Sequence, residues 1–433
     1  MSIQKIRGTQ DILYDQIKYW RLINETAKNI FESTQYLEIS TPIIESTDLF
    51  TKSIGRETDI VSKEMYSFLD QNNRNITLRP EGTTSIVRTF IENTALKSSY
   101  INRFWYNGPM FRYERPQKGR QRQFHQIGIE CFGTMNPRAD VEVIFLAVKF
   151  LQKLKCKNLC VEINSIGDIL SRSKYQEKLK QFLLSYIAEL DKDTIQRIYS
   201  NPLRIFDSKS LKIQKILDNA PKLYNFLDTY SKQHFEYICQ YLNYLNIPYI
   251  INNKLVRGLD YYNNTTFEIK TNTNIYKQQK TICGGGRYDN LIYQLGGGKI
   301  PAVGWAIGIE RLSNILNNKI NFPSNHVDIY IVSRGYPGST YSLGLMKLLQ
   351  ANKFMVMLNL DSKSFKKQLK KAYKVLAIVC LIIGDNEMRN NTIVVKWLNN
   401  GKQEVVQQEA FPYYIQYLQY KISSLRYDYK AQN

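Results

Sequence analysis

Five arginines, Arg112, Arg120, Arg122, Arg257 and Arg311, carry the first hint of chemistry. A guanidinium is permanently charged, and its planar fork of N–H donors matches two oxygens of a phosphate or carboxylate at once. The chain holds no GxxxxGK[ST] and no GxGxxG string, so neither a phosphate loop nor a dinucleotide turn explains its glycines, and phosphate must be held by side chains. Each arginine alone reads equally as a surface residue or an ion-pair partner. Metal chemistry has less to stand on. There are three histidines, His125, His234 and His326, and the six cysteines (Cys131, Cys156, Cys160, Cys239, Cys283, Cys380) form no CxxC pair, so no metal site is expected. His125 has no second ligand near it in sequence and reads as a packed strand residue.

These side chains need elements to hold them. Apolar residues at helical spacing from Tyr19 to Phe31 predict a helix leading into YLEISTPIIE, a strand interrupted by Pro42. Alternation in SFLDQNNRNITLRPEGT predicts a hairpin with its turn among Asn72 to Asn75. RFWYNGPMFRYE and QRQFHQIGIECFG predict a second hairpin across the basic loop RPQKGRQ. Between about residues 165 and 247 the pattern turns helical, as in KYQEKLKQFLLSYIAEL and HFEYICQYLNYLNI. Strands resume through KLVRGLDYYNNTTFEIK and KTICGGGRYD, and PAVGWAIGIERLSNIL passes from strand to helix. After INFPSNHVD, short strands and helices alternate as a separate small α/β domain.

At 433 residues the chain suggests two to four units of roughly 100–200 residues. Lys plus Arg number 59 against 38 Asp plus Glu, a formal charge of +21. That excess points to a polyanionic partner such as nucleic acid, or decorates the surface of a lysine-rich chain. Sparse, unpatterned cysteine fits a reducing compartment. The start, MSIQKIRGTQDILYDQ, carries Asp11 and Asp15 without an apolar core and does not read as a signal peptide, so a cytoplasmic location is expected. The longest apolar run, Val375 to Ile383, is far below the ~20 residues that span a bilayer and reads as a buried strand; no membrane partner is expected.

In combination the strings say more. LRPEGT, FRYERPQKGRQRQFHQIGIE, LVRGLDYY, GGGRYD and PAVGWAIGIERL occur in this order, with NPLRIFDSK in the helical stretch and IIGDNE near the end. Together they resemble the histidyl-tRNA synthetases of class II. The resemblance implies an α+β fold: a six-stranded antiparallel catalytic sheet with flanking helices over residues 1–325, a helical insertion at about 165–247, and a C-terminal α/β anticodon-binding domain over 326–433. It implies a homodimer formed around Pro42, and an enzyme that joins L-histidine to tRNA(His) through a histidyl-adenylate, using ATP and Mg²⁺.

Site residues follow from the same resemblance. Arg112 would meet the α-phosphate and the carboxylate of histidine, and Arg257, also counted with the histidine-binding residues, would approach the same phosphate as the chief catalytic residue. Phe124 and Arg311 would sandwich adenine, Glu114 would approach its end, and Arg120 and Arg122 would reach the outer phosphates. Glu81, Thr83 and Gln126 would take the ammonium of histidine, Glu130 and Tyr262 its imidazole, with Tyr261 and Tyr288 lining the pocket. The glycines Gly284 to Gly286 and Gly304 to Gly308 would bring backbone close to substrate or allow sharp turns. Cys283, where alanine is common in the family, reads as a small filler or an accessible thiol. Lys363, Lys366, Lys367, Lys370, Lys371 and Lys374 place charge on one helical face, to track tRNA phosphates or simply to be solvated. A non-catalytic relative sensing histidine or tRNA remains the alternative; such proteins typically lack the arginines or the terminal domain that this chain keeps.

Overall fold

The structure is a computed structural model that describes residues 3–55, 58–93, 96, 100–116, 120–208, 210–271, 281–317, 320, 322, 327–360 and 364–431. The expectations for His326, Lys363 and the middle of the RPQKGRQ loop lie outside these residues. The chain divides into two compact units, Met1–Asn321 and Phe322–Asn433.

The first unit is built on the predicted hairpin. Strands Asn102–Phe111 and Gln123–Phe132 pair antiparallel over their full length, from Asn102 opposite Phe132 to Phe111 opposite Gln123. The sheet continues antiparallel through Ala302–Gly308, Thr281–Arg287, Asn263–Thr271 and Leu159–Ser165. The expected six-stranded antiparallel sheet is present, and the short strands Leu37–Glu38 and Tyr249–Ile251 extend it to eight by pairing in parallel at its two edges.

Helices Tyr14–Glu32 and Pro137–Lys153 cover one face, where the Phe31 ring meets those of Trp105, Phe150 and Trp305. The second helix was missed in the sequence despite its signal: Asn136 caps it by accepting from the Arg138 N–H at 3.0 Å, and Pro137 opens its first turn. On the opposite face Phe104 and Phe132 pack with Phe90 of the helix Thr83–Glu92 and lead into the core of the insertion.

The insertion consists of helices Ile169–Leu184, Lys192–Ser200, Leu211–Asp218 and Thr229–Tyr244 with short 3₁₀ turns between them. Asp168, Asp191 and Asp228 each start a helix by accepting from a backbone N–H three residues on, at 2.8, 2.8 and 3.2 Å.

One strand prediction fails. LVRGLDYY alternates enough to suggest a strand, but pairing begins only at Asn263. Before it, Asn164 Nδ2 captures the Leu255 carbonyl at 3.0 Å and the Asp260 N–H turns to the Ile54 carbonyl at 3.2 Å, so residues 252–262 form a loop. The run Val375–Ile383 is likewise strand only from Val379, because Leu376 takes φ 53° as the chain leaves the preceding helix.

The second unit is a five-stranded sheet ordered Val356–Leu358, Ile329–Ser333, Val379–Ile383, Thr392–Trp397, Gln403–Gln407. Its first three strands are parallel, as crossover helices Tyr336–Ala351 and Phe365–Lys374 require, and the last two are antiparallel. In Phe365–Lys374, Gln368 and Ala372 face inward while Lys366, Lys367, Lys370 and Lys374 are exposed. A final helix, Phe411–Ala431, packs Phe411, Ile415, Leu418 and Ile422 into the core. Among the described residues no helix is long and apolar enough to cross a membrane.

Candidate active site

The sheet face opposite the long helices opens into a cleft of about 750 Å³. Glycines shape its floor. A Cβ on Gly284 would lie 2.3 Å from the Arg257 guanidinium, and one on Gly304 would overlap the Glu130 carboxyl. Both sit in regular strands, so neither serves a sharp turn. They leave room for the Arg257 and Glu130 side chains to lie close on the sheet.

Arg257 reaches the cleft from the loop before Asn263. It donates from one terminal nitrogen to Glu268 at 2.5 Å, and Glu268 also accepts from the Thr281 hydroxyl at 2.7 Å. The guanidinium lies 5.9 Å from the Tyr262 ring centroid. Cys283, fully buried beside it, is a packed filler and not an accessible thiol. Across the cleft Arg112 donates to the Pro80 carbonyl at 2.8 Å and lies 5.2 Å from the Phe124 centroid. Arg311 donates to the Thr281 carbonyl at 2.5 Å. Glu114 pairs with Arg120 at 2.9 Å, and Arg112, Glu114, Arg120, Phe124, Arg257, Tyr262, Glu268, Thr281 and Arg311 line the cleft.

Arg122 does not line it. Its aliphatic stem packs on Gly8 and its guanidinium lies 3.8 Å from the Tyr113 ring centroid. The expectation that it reaches into the site therefore has no support in this geometry, whereas Arg120 lines the cleft.

The deep end is polar and buried. Glu81 accepts from the N–H groups of Thr83 and Thr84, both at 2.8 Å, because the helix Thr83–Glu92 starts there with unsatisfied donors. Thr83 donates its hydroxyl to Glu130 at 2.7 Å, and Tyr288 donates a short hydrogen bond to the other Glu130 oxygen. Glu81, Thr83, Gln126, Tyr261 and Tyr262 line the cleft; Glu130 and Tyr288 stand directly behind them. The Gln126 Oε1 is buried with no hydrogen-bond partner among the described residues, a cost that a ligand's donor would remove.

Burial pushes the Glu130 carboxyl up to about 8, with the Glu81 charge adding to the rise, against the pull of the Tyr288 and Thr83 hydrogen bonds. An acid whose folded-state pKa is raised gives stability that is full below its unfolded value and is lost as pH rises through the folded one. The stability difference between the native chain and Glu130→Gln is therefore expected to fall from about pH 5 to about pH 8 and then level off. Urea midpoints of both chains across this range check it.

The cleft also contains residues that sequence reading passed over. Glu162, Glu268, Lys270, Thr281 and Glu310 line it, with Lys270 bonded to Glu162 at 2.7 Å. The first four, on alternating strands, read as ordinary outward polar positions, and Glu310 lies in the first turn of the helix Ile309–Asn317. Glu310, in the GIERL string, accepts from the His125 backbone N–H at 2.9 Å and lies 3.0 Å from its ring nitrogen; His125 packs edge-on to Trp20, as a strand residue should. Behind the sheet Arg287 is wholly buried. It donates to both oxygens of Asp140, at 3.1 and 2.5 Å, and to Asp289 at 3.0 Å. His234 of the insertion approaches Asp140 at 3.3 Å.

Two family models match the chain: one described as histidyl-tRNA synthetase over residues 8–312, and one described as an anticodon-binding domain over residues 327–418. The chain belongs to the histidyl-tRNA synthetase family. The synthetase is 51% identical over 421 residues to a "Histidine--tRNA ligase, chloroplastic" of Pyropia yezoensis, covering 97% of each chain. It is 53% identical over 418 residues to the protein of that name from Gracilaria tenuistipitata var. liui, covering 96% of this chain and 99% of the other. Its fold matches the crystal structure of apo S. aureus histidyl-tRNA synthetase with a TM-score of 0.78 at 36% identity, over 96% of this chain and all of that one. It is an ATP-dependent aminoacyl-tRNA ligase for histidine.

Proposed function

We propose that the synthetase performs adenylation in the 750 Å³ cleft, with the following division of labour. The observation that carries the reading is the convergence of Arg112, Arg257 and Arg311 with Glu81, Gln126 and Tyr262 in that one space, although they come from strings as far apart as LRPEGT and GIERL. Glu81, Thr83 and the unpartnered Gln126 oxygen take the ammonium. Glu130 and Tyr262 take the imidazole, with Tyr261 and Tyr288 enclosing it. The polar ring of histidine suits this hydrogen-bonded end of the cleft, and an apolar isostere would set an apolar surface against it.

The histidine carboxylate, already ionised, attacks the α-phosphorus of ATP in line and expels pyrophosphate. Charge builds on the α-phosphoryl oxygens, where Arg257 and Arg112 stabilise it. Phe124 and Arg311 hold adenine between a ring and a cation. Glu114 approaches its end, and Arg120 reaches the outer phosphates. In the second step the terminal ribose hydroxyl of tRNA(His) attacks the acyl carbon and AMP leaves. Mg²⁺ would arrive on ATP, held by phosphate oxygens and water.

We further propose a homodimer joined around Pro42, supported by the exposed apolar side chains of Leu37, Ile43 and Ile44 there. The second unit takes the anticodon arm, its exposed lysines lying along phosphates. The compartment is a reducing one, cytoplasm or plastid stroma, and the chloroplast names of the relatives favour the stroma. Histidine-dependent exchange of pyrophosphate into ATP tests the catalytic reading.

A further inference from the structure

The string NPLRIFDSK lies in the insertion, and among the described residues nothing between residues 169 and 247 lines the cleft. Its side chains nevertheless end on the loop that presents Arg257. From Val256 to Leu259 that loop makes no backbone–backbone hydrogen bond among the described residues, so its path is set from outside. Arg172, on the insertion's first helix, donates from one nitrogen to the Asp260 and Tyr262 carbonyls, at 3.2 and 3.1 Å. Asn201 and Arg204, from NPLRIFDSK, both donate to the Asp260 Oδ1, at 3.3 and 3.4 Å. A small cavity lies among these groups, lined by Arg172, Arg204 and Asp260 and also by Arg257 itself. On the other side, Gly55 leaves room for the Asp260 carboxylate; a Cβ there would lie 2.4 Å from Oδ2, and its φ of +100° disfavours any other residue.

We infer that Arg172, Asn201 and Arg204 are positioning residues for adenylation: the insertion fixes the loop 256–262 through Asp260 and so aims Arg257 at a site the insertion never enters. The physical basis is that near-attack geometry tolerates little error, and a misplacement of about 1 Å costs on the order of 10²-fold in rate. A loop without its own backbone bonds moves by that much once its outside anchors go. NPLRIFDSK thereby acquires a reason to accompany RGLDYY in one chain.

The inference rests on Arg257 acting at the α-phosphate, and a double-mutant cycle on the full-length chain separates the two. Arg172→Met and Arg204→Met are each made alone and with Arg257→Ala, and kcat and KM for pyrophosphate exchange are measured. Each single change is expected to lower kcat by about tenfold or more with both KM values within about threefold, and to have little further effect when Arg257 is already gone. Arg204→Lys, which keeps a cation at Asp260, is expected to recover most of the Arg204→Met loss. Unchanged kcat, or the same fold-loss in both backgrounds, overturns the inference. If Arg172→Met fails to fold, Asp260→Asn, which keeps the shape and removes the charge, is judged by the same cycle. An Arg257→Ala chain at native rate would instead overturn the catalytic reading itself.

Discussion

Arg257→Ala is expected to slow histidyl-adenylate formation by about 10²- to 10³-fold, the loss typical of deleting one preorganised donor at a developing oxyanion. The binding of histidine should change far less, because the proposed ammonium and imidazole contacts lie at Glu81, Gln126, Glu130 and Tyr262. Rapid-quench measurement of adenylate in a single turnover separates the two, since it reads the chemical step without tRNA release. Arg257→Lys should recover little: a point charge on a thinner stem does not cover the space above Gly284 and cannot hold Glu268 with one nitrogen while presenting others to a phosphate.

Arg287→Met carries the largest expected effect on stability. Asp140 and Arg287 are both fully buried. Burial pushes Asp140 up, but the Arg287 charge, the nearby His234 and the hydrogen bonds from Arg287 outweigh it and hold the carboxyl well below its ordinary range. Removing the arginine leaves Asp140 and its neighbour Asp289 uncompensated, a loss of about 3–5 kcal/mol. A matching fall in the urea midpoint is the measurement. Adding Asp140→Asn to the same chain should recover part of it, since the stranded charge is then gone.

Arg287 also shows where sequence reading ran out. GGGRYD announced its strand, and Tyr288 was assigned to the pocket, yet nothing local distinguishes a buried arginine from a surface one. Its partner is 147 residues away. The long hairpin and the strand-to-helix passage at Gly308 were legible because alternation and helical spacing are local properties. LVRGLDYY misled for the same reason: its alternation is strand-like, and only tertiary anchors from Asn164, Arg172 and Ile54 hold it as a loop. Of the site residues assigned from motifs, the structure gathers Glu81, Arg112, Gln126, Arg257, Tyr262 and Arg311 around one cleft, puts Glu130 and Tyr288 behind it, and leaves Arg122 on Tyr113. Glu268 and Thr281, which hold Arg257 and Arg311, had no signal beyond strand polarity.

The central claim is that the cleft activates histidine and no other amino acid at a useful rate. Pyrophosphate–ATP exchange by the native chain, with each of the common amino acids supplied in turn, tests it most directly. Exchange with histidine, and on the order of 10⁴-fold weaker kcat/KM with phenylalanine or leucine, is the predicted result, because those side chains would set an apolar surface against the polar deep end of the cleft. No histidine-dependent exchange, or comparable exchange with an apolar amino acid, would contradict the account.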